Sequence, residues 1–233
     1  MVYAVLPALV PEIPKVYDVY FAAFKNEAMG NIMLDVLFPD QDISSEEFRK
    51  GHTEATRNYW GVSSVQYTYK CVDTDTGDIV GVILGDIYVS PRSEEERKNY
   101  GVPWLEGDKR ERAEKVLNPL WEAREKLFGG RPYIYVHVIG VDPRHQGRKA
   151  GAAIVKWGID ICEQTKLPVY FEASPTTVGL YEKLGYNRLR DSIVHKAETL
   201  GTEADIVVPL MVRMPSAAGM TFDEWRDKDY PSF

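Results

Sequence analysis

The stretch Val141-Asp-Pro-Arg-His-Gln-Gly-Arg-Lys-Ala-Gly151 constrains this chain most. It lies between the apolar run Tyr133-Ile-Tyr-Val-His-Val-Ile-Gly140 and a helical pattern carrying Ile154, Trp157, Ile161 and Cys162. A strand that ends in a small, basic turn and opens a helix presents unsatisfied backbone N–H groups, and the helix dipole adds to their attraction for an anion. Neither common phosphate loop fits. The Walker form needs a Gly-Lys-Ser/Thr ending, and the dinucleotide form needs Gly-x-Gly-x-x-Gly directly after the strand. The anion site expected here is of another design.

Helices and strands alternate around this centre. Val16, Val19, Tyr20, Ala23 and Phe24 recur at helical spacing after Pro14, which suits a first helical turn. A second amphipathic helix is expected from Ser44-Ser45, whose hydroxyls can cap it, with Phe48, His52, Ala55 and Tyr59 along one face. Gln66 to Val72 and Ile79 to Tyr88 read as strands joined by the hairpin turn Asp73-Thr-Asp-Thr-Gly-Asp78. From 91 to 132 the chain is highly charged. Ala113, Val116, Leu117, Leu120, Trp121 and Leu127 form one apolar stripe there, and Asn118-Pro119 marks a helix restart. Two readings of this insertion stay open, a solvated excursion docked on the core or a lid over an acceptor site.

After the 146–151 turn the pattern gives a helix, a short strand from Val169 to Ala173, and a short helix with Leu180, Tyr181 and Leu184 that Gly185 stops. Late strands are expected at Ile193-Val194 and from Ile206 to Val212. The organisation is one α/β domain over residues 1–215, insertion included, with a loosely attached tail at 216–233.

Composition removes several function classes. A chain of 233 residues can bury a proper core. Its net charge of −7 argues against a nucleic-acid partner, since phosphate binding needs a basic footprint, and would instead attract an amine by long-range field. Cys71 and Cys162 are too few for a disulfide scaffold and lack ligand spacing, so buried free thiols are expected. His52, His145 and His195 show no spacing for a shared metal, and none is expected. No run approaches the ~18 apolar residues that span a bilayer. The N-terminus carries an early Pro7 and no basic segment, so no signal peptide and a cytoplasmic location are expected.

Read from Gln146 to Gly151, the turn resembles the Gln/Arg-x-x-Gly-x-Gly/Ala pyrophosphate loop of the GNAT N-acetyltransferase superfamily, with Lys149 where the first glycine is usual. The resemblance runs from Ile134 through Tyr186 and includes Gly179-Leu-Tyr-Glu-Lys-Leu-Gly-Tyr186. Gly101-Val-Pro-Trp-Leu and Trp157-Gly158 are similar to fungal members. It implies a single-domain acyl-CoA N-acyltransferase fold: a mixed, mostly antiparallel sheet flanked by helices, with two neighbouring parallel strands around the cofactor. It also implies acetyl-CoA as co-substrate. The backbone of Ile139, Gly140 and Val141 would hold the pantetheine arm and polarise the acetyl carbonyl, as suits a developing oxyanion. Gln146, Gly147, Arg148, Lys149, Ala150 and Gly151 would hold the diphosphate. Lys149 sets a side chain at a position normally bare and suited to unusual φ, while its ammonium can partly offset the loss. Arg148 and Lys149 also read as plain solvated charges. Ser174 is either a pantetheine contact or an N-cap for the next helix.

The same resemblance makes Tyr181 the acid that serves the departing thiolate; without the motif it would read as core. The acceptor amine must lose a proton before or during attack, because an ammonium has no lone pair. His137 is the first candidate base, being the side chain type that titrates nearest neutrality. His137-Val-Ile-Gly-Val141 resembles the His-x-Leu-Ala-Val strand of arylalkylamine N-acetyltransferases, which carry a base histidine at the matching position. On strand alternation it shares a face with Tyr135 and Ile139. The competing reading is a buried core histidine. Glu172 is the runner-up base, and Asp86 and Tyr88 could face an acceptor pocket. The expected activity is direct acetyl transfer to a primary amine, in first place of a small molecule. Protein lysine or N-terminal acetylation, and a non-catalytic acyl-CoA-binding protein, are the alternatives. The oligomeric state stays open, with a homodimer as one option.

Overall fold

The chain folds in the order β1 (Tyr3–Pro7), α1 (Ile13–Lys25), α2 (Ala28–Leu37), α3 (Glu46–Val62), β2 (Gln66–Asp73), β3 (Ile79–Tyr88), α4 (Gly107–Phe128), β4 (Tyr133–Val141), α5 (Ala150–Thr165), β5 (Val169–Glu172), α6 (Val178–Lys183), β6 (Asn187–His195), α7 (Ala197–Leu200), β7 (Ile206–Arg213) and α8 (Phe222–Asp227). The structure is a computed structural model and describes residues 2–233. The strands form a seven-stranded mixed sheet in the order β1-β2-β3-β4-β5-β7-β6. The chain divides into two compact units, Met1–Ile87 with Val136–Trp157, and Tyr88–Tyr135 with Gly158–Phe233.

In the first unit, local chemistry sets the helix starts. Pro14 lies in the first turn of α1, where its missing N–H would have no intrahelical partner. The Ser45 hydroxyl accepts from the Phe48 N–H at 3.2 Å and caps α3, and Glu46 and Glu47 complement the dipole. β1 pairs antiparallel with β2, and β2 with β3. Val16, Val19, Tyr20 and Phe21 of α1 and Leu34 of α2 share one buried cluster with Val82 and Val138. Gly140 permits this closeness, since a Cβ there would stand 3.1 Å from the Ala23 Cβ. The periodicity marks no element at β1 or α2. The second contains Gly30, a poor helix former, yet a Cβ at that position would lie 2.7 Å from the Phe24 carbonyl oxygen.

In the second unit, the start of β4 pairs parallel with β5 (Ile134↔Val169, Tyr135↔Tyr170), while β5–β7 and β6–β7 are antiparallel. The insertion is anchored on this unit. Ala113, Val116, Leu127 and Phe128 of α4 are buried, and the Phe128 ring stacks on Tyr133 at 3.9 Å. Asn118-Pro119 does not restart a helix as the sequence predicts, for α4 runs through Pro119 unbroken. The loss of one helical hydrogen bond is outweighed where both ends of the helix are held by packing. The tail also differs from expectation. Phe222 is 1% exposed and meets Phe128 at 5.2 Å, and Trp225 donates to the Pro231 carbonyl at 2.7 Å, so α8 is docked rather than loosely attached.

Among the described residues no helix is long and apolar enough to cross a membrane, and no group of three or more His, Cys, Asp or Glu side chains could hold a metal.

Candidate active site

The first unit carries the end of β4 and the turn into α5. The Asp142 N–H donates to the Val80 carbonyl at 2.9 Å, tying the strand end to β3. The buried Asp142 carboxylate accepts from the Arg144 backbone N–H (2.9 Å) and guanidinium (2.7 Å), and these bonds hold it below the usual carboxylate range. The Gln146 amide donates back to the Val141 carbonyl at 3.2 Å. Gln146 has φ −65°, whereas Gly147 and Lys149 are left-handed at +71° and +74°, on either side of Arg148. Changes of hand along a short stretch can turn successive N–H groups toward one concavity, as in an anion nest.

That backbone is open. A Cβ at Gly147 would meet nothing within 4 Å, and one at Gly151 only Val141 Cγ2 at 3.8 Å. Lys149 therefore adopts the unusual φ that its position requires, at about 1 kcal/mol relative to glycine. Arg148 and Lys149 are exposed, so two cations flank the nest. An open, left-handed backbone with two cations fits a diphosphate.

His137 belongs to the same unit and is not a buried core histidine. Its side chain is 41% exposed, and Nε2 lies 2.8 Å from Oδ2 of Asp86, a residue only 6% exposed. Tyr59 of α3 lies in the field of that carboxylate; burial first, and the Asp86 charge next, raise its phenol above the ordinary value. The remaining histidines have other settings. His52 is boxed by the rings of Tyr17, Phe21, Phe38 and Phe48, and burial followed by the Arg49 charge pushes it down to about 4. Burial also lowers His195. Both cysteines are buried free thiols; burial, then a neighbouring carboxylate, pushes Cys71 up to about 11 and Cys162 up to about 12, which disfavours a thiolate nucleophile at either.

The second unit holds Glu172, Ser174 and Tyr181. The Glu172 side chain, 9% exposed, accepts from the Tyr170 hydroxyl at 3.1 Å and from Arg124 Nη1 at 3.4 Å. The Arg124 guanidinium stands 4.1 Å over the Tyr135 ring. Burial, then the Glu172 charge, holds the phenols of Tyr135 and Tyr170 well above their usual value. The Ser174 hydroxyl shares a 3.0 Å hydrogen bond with Thr176, and Thr177 occupies the N-cap of α6, so Ser174 does not cap that helix. Tyr181 lies edge-on to Phe171 (4.6 Å) and Tyr186 (6.1 Å), and burial pushes its phenol up to about 12.

Two partnerships escape the sequence pattern. Asp86 is noticeable as the one carboxylate in the apolar run Ile79–Tyr88, and a buried charge of that kind needs a partner, but nothing local names His137. Arg124 has no signal at all among the many charges of its helix.

The sequence model of the Acetyltransferase (GNAT) family matches residues 34–186. A curated relative, "Probable acyltransferase SID5" of Ajellomyces capsulatus, is 34% identical over 122 residues, which is 52% of this chain and 84% of the relative. Two solved structures share the fold. The C-terminal condensation domain of Ebony in complex with beta-alanyl-dopamine aligns with TM-score 0.63 and 14% identity, over 92% of this chain and 99% of that one. Mosquito arylalkylamine N-acetyltransferase like 5b aligns with TM-score 0.61 and 14% identity, over 91% of this chain and 100% of that one. The chain belongs to the acetyltransferase (GNAT) family, whose members use acetyl-CoA, and has its fold. It is an acyltransferase enzyme.

Proposed function

We propose that this enzyme transfers an acetyl group from acetyl-CoA directly to the primary amine of a small molecule. The observation that carries the reading is the open turn with left-handed Gly147 and Lys149 leading into α5, which suits the cofactor's diphosphate. Gln146, Arg148, Ala150 and Gly151 complete that turn. The backbone of Ile139, Gly140 and Val141 lines the pantetheine arm and offers its N–H groups to the oxyanion that grows on the acetyl carbonyl. Ser174 contributes a hydroxyl to the arm. An amine acceptor agrees with the net charge of −7, and with the arylalkylamine acetyltransferase among the proteins of similar fold.

His137 takes the proton that the attacking amine must lose. Its exposure lets an acceptor or a bridging water reach it, and Asp86 supports the imidazole. Tyr181 serves the leaving thiolate. With its phenol near 12 it stays protonated throughout the neutral range, well above a thiol at roughly 8.5. Its contribution is therefore a donated hydrogen bond that stabilises the thiolate, and the net proton comes from the amine. Glu172 is a weaker base candidate because its Oε1 already accepts from Tyr170 and Arg124 and its side chain is almost covered.

The test is thiol release from acetyl-CoA across a panel of primary amines, set beside binding of acetyl-CoA alone. Amine-dependent release well above background hydrolysis is expected. Binding without release for every amine, with acetylation of a peptide lysine instead, would overturn the small-molecule assignment.

A further inference from the structure

A neutral imidazole has one protonated nitrogen and one that bears the lone pair, and only the latter can act as a base. In His137 the choice is made by β3. Nε2 lies 2.8 Å from Oδ2 of Asp86, 51 positions earlier in the chain. A carboxylate has acceptor oxygens and no donor, so the hydrogen between the two groups belongs to Nε2. Asp86 is 6% exposed in a strand whose other residues are apolar, aromatic or glycine. Burying a carboxylate there is unfavourable unless a partner offsets it, and the His137 imidazole at 2.8 Å is such a partner.

We propose that Asp86 is the positioning residue of this enzyme: it holds His137 as the Nε2–H tautomer and so makes Nδ1 the atom that receives the proton of the attacking amine. The inference rests on the reading of His137 as the base. As the amine nitrogen bonds to the acetyl carbon, its proton passes to the Nδ1 lone pair. The C–S bond then breaks with its electron pair on sulfur, and the imidazolium returns one proton to solvent or to the thiolate. Asp86 accepts a hydrogen bond throughout and never takes the proton; its charge faces the imidazolium while that exists. Tyr59 borders the same carboxylate and, with its phenol raised, remains neutral beside it.

The experiment uses full-length protein with histidine labelled in 15N, and the His137 resonances assigned by their loss in His137→Gln. The expected wild-type tautomer is Nε2–H, and an Nδ1–H tautomer would overturn the proposal without any further variant. In Asp86→Asn the neutral side chain no longer fixes the tautomer: its amide NH2 can donate to Nε2, which places the hydrogen on Nδ1. That variant should lose about 100-fold or more in kcat, with acetyl-CoA binding unchanged and its His137 spectrum switched. Asp86→Glu should recover part of the loss. Full kcat in a folded Asp86→Asn, with kcat lost in His137→Ala, would overturn the positioning role while leaving the base. Full kcat in both would reject His137 as base, a separate failure.

Discussion

His137 and Glu172 are both ionisable side chains on strands of the sheet, yet their settings are opposite. His137, in the first unit, is well exposed and touches a buried acceptor, Asp86. Glu172, in the second, is almost covered and is surrounded by donors, the Tyr170 hydroxyl and the Arg124 guanidinium. An acceptor beside an imidazole leaves one nitrogen as a base and stabilises the ring once it is protonated. Donors on one oxygen of a carboxylate favour its charged form, and protonation would weaken the ion pair. The contrast supports the proposal that His137, rather than Glu172, serves as the base. Glu172 instead ties the charged insertion helix α4 to β5.

The strongest way to break this contrast is to remove each residue in turn and measure steady-state kinetics. His137→Ala should lower kcat by about 100- to 10,000-fold. Folded Glu172→Gln should keep most of its kcat; if it is the variant that loses turnover while His137→Ala keeps it, the assignment is reversed. Stability sharpens the same comparison. Glu172→Gln leaves the Arg124 charge covered and uncompensated, which should cost about 3 kcal/mol in urea unfolding. An unchanged midpoint would show that the pair does not anchor α4.

A smaller effect is expected at Tyr181. Removing one hydrogen bond to a charged group costs about 1.5–3 kcal/mol, so Tyr181→Phe should slow kcat by roughly 10- to 150-fold while acetyl-CoA binding holds. Unchanged turnover would reject its role. Lys149→Gly should give the smallest change. Relief of the left-handed φ should raise stability by about 1 kcal/mol, and thermal unfolding would reveal it. A loss of stability would mean that the lysine side chain is needed where it stands.

The legible parts of the fold are those with local causes. The Ser45 cap, the Pro14 start, the Asp73–Asp78 turn and the amphipathic faces of α1 and α3 all lie within a few residues of the structure they specify. Elements held by distant packing were not legible. Gly30 disfavours α2 locally but admits the Phe24 backbone, and α4 crosses Pro119 because residues on both sides of it are buried. β6 begins at Asn187 rather than Ile193 because its pairing with β7 shifts register between Arg188 and Ser192, which spoils the period-two pattern. The candidate site divides in the same way. The turn from Gln146 to Gly151 is contiguous and could be read directly. The partners of His137 and Glu172 lie 51 and 48 positions away, brought to them by the tertiary fold.

The most direct measurement is calorimetric titration of acetyl-CoA into the wild-type chain and into Gly147→Val. The variant adds a branched side chain into open space at φ +71°, where it disturbs the nest without a clash in the core. Saturable uptake by the wild type, lost or greatly weakened in a variant that is still folded, is the expected result. No uptake by the wild type, or equal uptake by both, would contradict the assignment of the diphosphate to residues 146–151.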